Sequence, residues 1–293
     1  MAALQAPSVR RQRLGVALRR LRDRAGLTTE LVGRRLGWSA SKVSRIETAR
    51  IGVSVSDVRR LLKLYGADAQ MADDLLMLAS QAKGRGWWDS YPEVHFAEVS
   101  AFIALEDEAS SVRQFQTELV PGLLQTEEYA RCLIEGWGAI MPTTSPATMA
   151  RRLEVRTIRQ RLLEQPRSLP ISLVLDESVL LRRIGSPGTM VRQMVHLAEL
   201  ATLPNVALHV LPLGGEHTVG PGSFVLLEFP SVYDVALPPV VYTETIIGAA
   251  NLQDDDATHV YRLCHDLLVS HSLDTAESIS RISKLAQRHW SNF

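Results

Sequence analysis

The sequence predicts an α+β protein in two parts: an all-α front of five short helices, then a larger α+β domain with a mainly antiparallel sheet. Three observations carry this expectation. At 293 residues the chain is longer than one hydrophobic core usually serves, so two domains are expected. Glycines and capping residues cut residues 1–83 into helix-length apolar patterns, whereas β-branched runs appear only beyond Pro170. Charge divides along the same line. The chain as a whole balances to zero, yet residues 1–83 carry 16 Lys and Arg against 7 Asp and Glu (+9), and residues 84–293 carry 16 against 25 (−9).

Within the front part, Leu14, Leu18 and Leu21 repeat at helical spacing and stop at Ala25-Gly26, where glycine supplies a left-handed ending. Thr28 or Thr29 caps a second helix through Leu31, Val32 and Leu36, halted by Gly37. Ser39 caps a third, "ASKVSRIETAR". A fourth starts at Ser54, which with Asp57 reads as a capping box, and runs through Leu61, Leu62 and Leu64 to Gly66. A fifth, from about Gln70 to Lys83, carries Met71, Leu75, Leu76, Leu78 and Ala79. Residues 1–13 read as a basic arm with Arg10, Arg11 and Arg13, and 14–83 as the helical domain. The glycine-punctuated residues 84–90 read as a linker, and 91–293 as the second domain. There, helical patterns cover Phe96–Phe115, Thr126–Gly136, Thr148–Glu164, Thr189–Thr202, Asp255–Ser270 and Thr275–His289. "ISLVLD", "VALHVLPL", "SFVLLEF" and "VVYTETII" read as four strands. Three strands following one another without helices between them favour antiparallel pairing.

Composition excludes several classes. No run of about 18 uncharged apolar residues occurs, and "MAALQAPSVRRQRLG" lacks the apolar middle of a secretion signal, so the chain is expected to be soluble and cytoplasmic, with no membrane partner. Cys132 and Cys264 lie far apart with no second cysteine at metal spacing, so neither a disulfide scaffold nor a metal site is expected. No H-E-x-x-H, G-x-S-x-G or phosphate-binding glycine loop appears. Cys264 and His265 are adjacent, about 100° apart on a helix, which is unsuited to a nucleophile and base pair. We expect no catalytic residues and no cofactor.

The third helix is the informative one. Ser41, Ser44, Arg45 and Thr48 are spaced i, i+3, i+4 and i+7 and share one stripe, while Val43, Ile46 and Glu47 turn elsewhere. Small hydroxyls let a backbone approach base edges, and arginine pairs in bidentate fashion with guanine O6 and N7. A helix of this kind, set after another helix and a short turn in a domain of charge +9, suits the major groove of double-stranded DNA.

The stretch "ALRRLRDRAGLTTELVGRRLGWSASKVSRIETARIGVSVSDVRRLLKLYG" resembles the Xre/Cro-repressor-like helix-turn-helix, a λ-repressor-like fold, across its whole length. The resemblance implies that Ala40, Ser41, Ser44 and Arg45 face bases. Thr28, Thr29, Lys42, Thr48 and Arg50 would lie near phosphates. Glu47 would turn inward to Arg22 as a structural ion pair. The sequence departs from the family at Thr29, where glutamine is usual, and at Ala49, where glycine is usual. It further implies a homodimer on a pseudo-palindromic operator.

The pieces "GWWDSY", "ALEDEASSVRQFQTELVPGLLQTEEYAR", "LDESVLLRRIG", "NVALHVLPL", "GSFVLLEF" and "VVYTET" resemble DUF5753, a domain without an assigned activity. Three features of that part are candidates for a site. "VPGLLQTEEYA" feeds a helix capped by Thr126, with Glu127 and Glu128 in its first turn. Glu216 and His217 sit in the glycine-rich loop "GGEHTVGPGS". Tyr242 and Glu244 share one sheet face, and Glu228 across from them would complete a polar ligand pocket. A row facing solvent is the plainer reading of those three residues. Two functions stay open at this point: a regulator whose larger domain senses a small-molecule effector or joins protomers, and an antitoxin-like protein that sequesters a small partner protein and autoregulates its operon.

Overall fold

Helix α1 begins at Val9 and runs to Arg24, so Arg10, Arg11 and Arg13 belong to a helix and not to an extended arm. The reason lies in "VRRQRL", which holds no glycine or proline to break a helix. Arg13 is buried and donates from Nη2 to the Pro230 carbonyl at 3.1 Å, and Arg10 pairs with Glu108 at 2.6 Å. The computed structural model describes residues 9–82, 87–91, 97–140, 145–164, 168–215, 220–231, 237–245 and 248–291.

Two compact units divide the chain, the first break falling between Ser90 and Tyr91 and two later segments grouping with the first unit. The first takes residues up to Ser90 together with Ser100–Glu108 and Phe229–Leu237. The second takes Tyr91–Val99, Ala109–Glu228 and Pro238–Phe293.

In the first unit, α1 is followed by α2 (Thr29–Leu36), α3 (Ala40–Glu47), α4 (Val55–Tyr65) and α5 (Ala69–Gln81). Each of α2, α3 and α4 starts on the hydroxyl that the sequence offers: Thr28, Ser39 and Ser54 accept from Leu31, Lys42 and Asp57 backbone N–H groups. Gly37 and Gly66 close α2 and α4 in the left-handed region, at φ 70° and 72°. Leu14, Leu18, Leu21, Val32, Val43, Ile46, Leu61, Leu62 and Leu75 meet in one buried core. The expected capping box at Ser54 is only half made. Asp57 does not reach back to the cap; its carboxylate turns to Lys42 at 3.5 Å and Arg60 at 3.8 Å. Helix α6 (Ala97–Glu108) carries the buried Phe102, Ile103 and Leu105, and its final two turns group with this unit.

The second unit is built on a six-stranded mixed sheet, in which β1 (Ser111–Gln116), β2 (Ile171–Asp176), β3 (Val206–Leu211), β4 (Phe224–Glu228), β5 (Val240–Thr245) and β6 (Gly248–Leu252) run in the order β3-β2-β1-β4-β5-β6. Three of the five pairings are antiparallel. The β1–β2 and β2–β3 pairings are parallel, because helices intervene in sequence: α7 (Glu127–Ile140) and α8 (Pro146–Gln160) before β2, then α9 (Glu177–Leu181) and α10 (Pro187–Leu200) before β3. Strand β1 takes the end of the expected Phe96–Phe115 helix, and β6 lies where no strand is expected. Polar residues in "SVRQFQ" and small ones in "GAANL" dilute the β-branched signal.

Helix α11 (Asp255–Ser270) covers one sheet face, where Phe115, Val174, Phe224, Leu226, Val241 and Leu268 form a buried cluster. Leu173 and Leu175 alternate to the other face and are also buried. Helix α12 (Thr275–Leu285) packs on α10 and β3, and its buried Ser278 hydroxyl accepts from the Val210 N–H at 2.9 Å. No described helix is long and apolar enough to cross a membrane.

Candidate nucleic-acid interface

The turn between α2 and α3 depends on a glycine inside α2. A Cβ at Gly33 would lie 2.7 Å from the Trp38 carbonyl oxygen, closer than side-chain carbons sit to backbone, and 3.2 Å from the Ala40 nitrogen, tighter than most such contacts. Gly15 of α1 does the same at the other end of α3, where a Cβ would meet the Glu47 carbonyl oxygen at 2.5 Å. Helix α3 is therefore gripped at both ends by backbone. We expect Gly33→Ala to cost about 1 to 3 kcal/mol through forced separation of α2 and α3, read as a fall in the chemical-denaturation midpoint. An unchanged midpoint would show that the turn yields without cost.

Between these grips, α3 sorts its residues by face. Val43, Ile46 and Glu47 are buried, while Ser41, Ser44, Arg45, Thr48 and Arg50 are exposed and Ala40 is half-buried. Arg45 lies back along its own helix, Nε donating to the Ser41 carbonyl at 3.3 Å, and Thr48 donates to the Ser44 carbonyl at 2.8 Å. Both contacts are exposed and local. Thr28 is engaged as the α2 cap, and Thr29 donates to the Glu30 carboxylate at 3.1 Å. Ala49, where the resembled family has glycine, stands at φ 55° with its methyl buried. The left-handed backbone costs roughly 1 to 2 kcal/mol for an L-residue, partly offset by the burial of the methyl.

Lys42 is placed differently from the other phosphate candidates. Its Nζ sits 3.8 Å from the centre of the Trp38 ring and 3.5 Å from the Asp57 carboxylate. Arg60 approaches the same ring at 5.2 Å and donates to the Leu36 carbonyl at the end of α2. Trp38 thus forms a platform for two cations beside α3 that the helical pattern alone does not reveal; its signal is a lone aromatic between two helix caps.

Glu47 is turned inward. Arg22 donates to it through Nε at 2.8 Å and Nη2 at 3.0 Å, a bidentate pair, and gives its Nη1 to the Leu27 carbonyl at 2.8 Å. Tyr65 adds its hydroxyl at 3.4 Å. The hydrogen bond to Glu47 holds the Arg22 guanidinium above its ordinary pKa, and burial first, then the nearby Glu47 charge, pushes the Tyr65 phenol well up. One pair thus ties α1 to the last turn of α3, and removes a negative charge from the exposed face.

In the second unit, Glu228 does not join the two candidates on β5. Glu228 pairs with Arg262 at 2.9 Å and accepts from the Ser111 hydroxyl at 2.9 Å, away from β5's polar end, because the register sets Val225, not Glu228, beside Tyr242. Tyr242 is buried, and its hydroxyl serves Glu244. His217 and Glu216 lie outside the described residues. Glu128, at the start of α7, accepts two bonds from Arg192 and one from Thr189, all at 2.7 Å, which pulls its carboxyl down to about 2. His265 is buried against the Ser172 carbonyl at 3.0 Å, with its pKa lowered by burial, and Cys264 is pushed up by burial. Neither is set up as a nucleophile or its base.

The geometry of the first unit agrees with a match to a family model described as a helix-turn-helix domain, over residues 13–75. The chain is a DNA-binding helix-turn-helix protein. No curated protein and no solved structure matches it. A second family model, described as a domain of unknown function, DUF5753, covers residues 99–284. That match takes in more than half of the sequence, and the chain belongs to the DUF5753 family.

Proposed function

We propose that this protein is a sequence-specific transcriptional regulator that binds a pseudo-palindromic operator as a homodimer, with the second unit sensing a small-molecule effector and carrying no reaction of its own. The observation that carries this reading is the sorting of α3: Ser41, Ser44, Arg45 and Thr48 stand exposed on one stripe while Val43, Ile46 and Glu47 anchor the other. A recognition helix of eight residues reaches only a few base pairs. Two of them, about 34 Å apart on a dyad, supply the length and symmetry of an operator. The +9 balance of residues 1–83 supplies the counterion release on which such binding draws. Immunoprecipitation of the protein with its bound DNA across the genome tests the proposal; enrichment of one inverted-repeat site supports it, and enrichment without any shared sequence refutes it.

The backbone contacts differ in how freely they can be offered. Arg50 is exposed, whereas Lys42 is engaged by Trp38 and Asp57. Arg50→Ala should therefore weaken binding to all sequences and reduce the salt slope by about 1. Lys42→Ala should change it less, since the ammonium must leave its internal partners to reach a phosphate. Fluorescence anisotropy over a salt series measures both; equal losses would mean that Lys42 swings out at no cost.

A further inference from the structure

Helix α7 carries two neighbouring apolar stripes, and only one of them is buried. Tyr129, Ala130 and Ile134 pack into the second unit. Leu133, Gly136, Trp137 and Ile140 are spaced i, i+3, i+4 and i+7, and Ile140 at the end of this stripe is 63% exposed. Residues 183–185, the turn between α9 and α10, meet the stripe across a cavity of about 280 Å³.

Both walls are held in place. Gly185 turns in the left-handed region at φ 69° and lays its backbone on the Cys132 sulfur of α7, where a Cβ would stand only 2.7 Å away. Just beyond the turn, Ser186 and Thr189 form the capping box of α10, and Thr189 and Arg192 both donate to Glu128, at the start of α7, at 2.7 Å. The cavity is thus preformed, and its lining is apolar save for one cation. Cys132 stays a neutral thiol, because burial first, then the charges of Glu135 and Glu128, push its pKa up. Neither of those carboxylates lines the space. Arg183 does line it, is exposed, and among the described residues makes no hydrogen bond or ion pair.

Gly136 adds an independent observation. Glycine weakens a helix interior, because it gives up more backbone freedom on folding than any other residue. A Cβ there would meet no atom within 4 Å, so packing does not require glycine at this position. What the missing side chain leaves is room in the cavity next to Trp137. We propose that this cavity binds a small aromatic carboxylic acid, with its ring against Trp137 in the space left by Gly136 and its carboxylate on Arg183. The assignment deepens the reading of the second unit as an effector sensor, on which its regulatory meaning rests. A volume of about 280 Å³ lies at the lower edge of ligand pockets, roughly 300 to 1,000 Å³, and suits a body of one or two rings. A flat ring gains from contact with a second aromatic. One guanidinium balances one carboxylate in a two-pronged contact, whereas a phosphate monoester would bring surplus charge to a lining with no other cation.

The test is calorimetric titration of the full chain with benzoate, phenylacetate and naphthoate, at constant ionic strength set by chloride. Saturable binding of at least one is expected, and the uncharged amide of that acid should bind about tenfold more weakly. Arg183→Gln should remove this preference for acid over amide. Gly136→Leu fills the space and should weaken binding by about tenfold or more while the melting temperature holds, since leucine favours a helix over glycine. Arg183 is exposed, so its variant keeps the test decisive should Gly136→Leu not fold. Four results would each overturn the site: no saturable binding by any of the acids, equal binding of acid and amide, an Arg183→Gln protein that keeps the preference, or a folded Gly136→Leu protein that binds like the parent. DNA affinity measured with and without the saturating acid separates the two readings: an acid that binds as expected but leaves DNA affinity unchanged keeps the site and overturns the sensor.

Discussion

Glu47→Ala should destabilise the helix-turn-helix by about 3 to 5 kcal/mol, the usual loss when one partner of a buried ion pair is removed. The side chains of Arg22 and Glu47 are only 11% and 4% exposed, so water does little to screen the pair or to solvate what remains. The substitution leaves Arg22 Nε and Nη2 without their acceptors in that setting, and leaves the Tyr65 hydroxyl without Glu47. It also releases the C-terminal turn of α3 from α1. The naive electrostatic argument points the other way, since deleting a carboxylate beside the DNA-reading stripe ought to strengthen binding to phosphate. Burial decides between them, because Glu47 faces the core and adds little to the field at the exposed stripe. Chemical denaturation of the parent and Glu47→Ala proteins checks the stability loss, and an unchanged transition would remove the structural role. A double substitution with apolar residues, Arg22→Met with Glu47→Leu, should recover much of it, as replacing both members of a buried pair is far less costly than breaking it.

Arg45→Ala should cost about 1 to 3 kcal/mol of operator affinity and relax the preference at one base pair, with little effect on the fold. Arg45 is exposed, and its hydrogen bond to the Ser41 carbonyl is a 3.3 Å contact on the surface, so little is lost when the side chain turns outward to a guanine edge. Arg45→Lys should fail to restore the preference even though charge is kept, because an ammonium cannot reproduce the two-pronged geometry. Binding measured against operators mutated one pair at a time distinguishes the outcomes. An Arg45→Ala protein with full affinity and full selectivity would mean that α3 enters the groove in another register.

The first unit was legible in the sequence because its signals act over one or two helical turns. Thr28, Ser39 and Ser54 cap, Gly37 and Gly66 terminate, and the Ser41 to Thr48 stripe needs only the helical period to be read. The inward turn of Glu47 was accessible through resemblance, not through the pattern, since a carboxylate on that helix reads equally well as solvated. Trp38 carried no periodic signal at all, and its role appears only when Lys42 and Arg60 arrive from different turns and helices.

The sequence by itself determined the helices of the first unit, the face α3 keeps for a partner, and the strand character of β2 to β5. The tertiary structure alone decided that β1 and β2 run parallel and that Glu228 goes to Arg262 and Ser111 instead of a pocket. The difference is one of range. Caps and stripes are set by torsion and spacing within a few residues, whereas a strand register or an arginine's neighbour is chosen by the packing of segments tens to more than a hundred residues apart, and no local propensity encodes that choice.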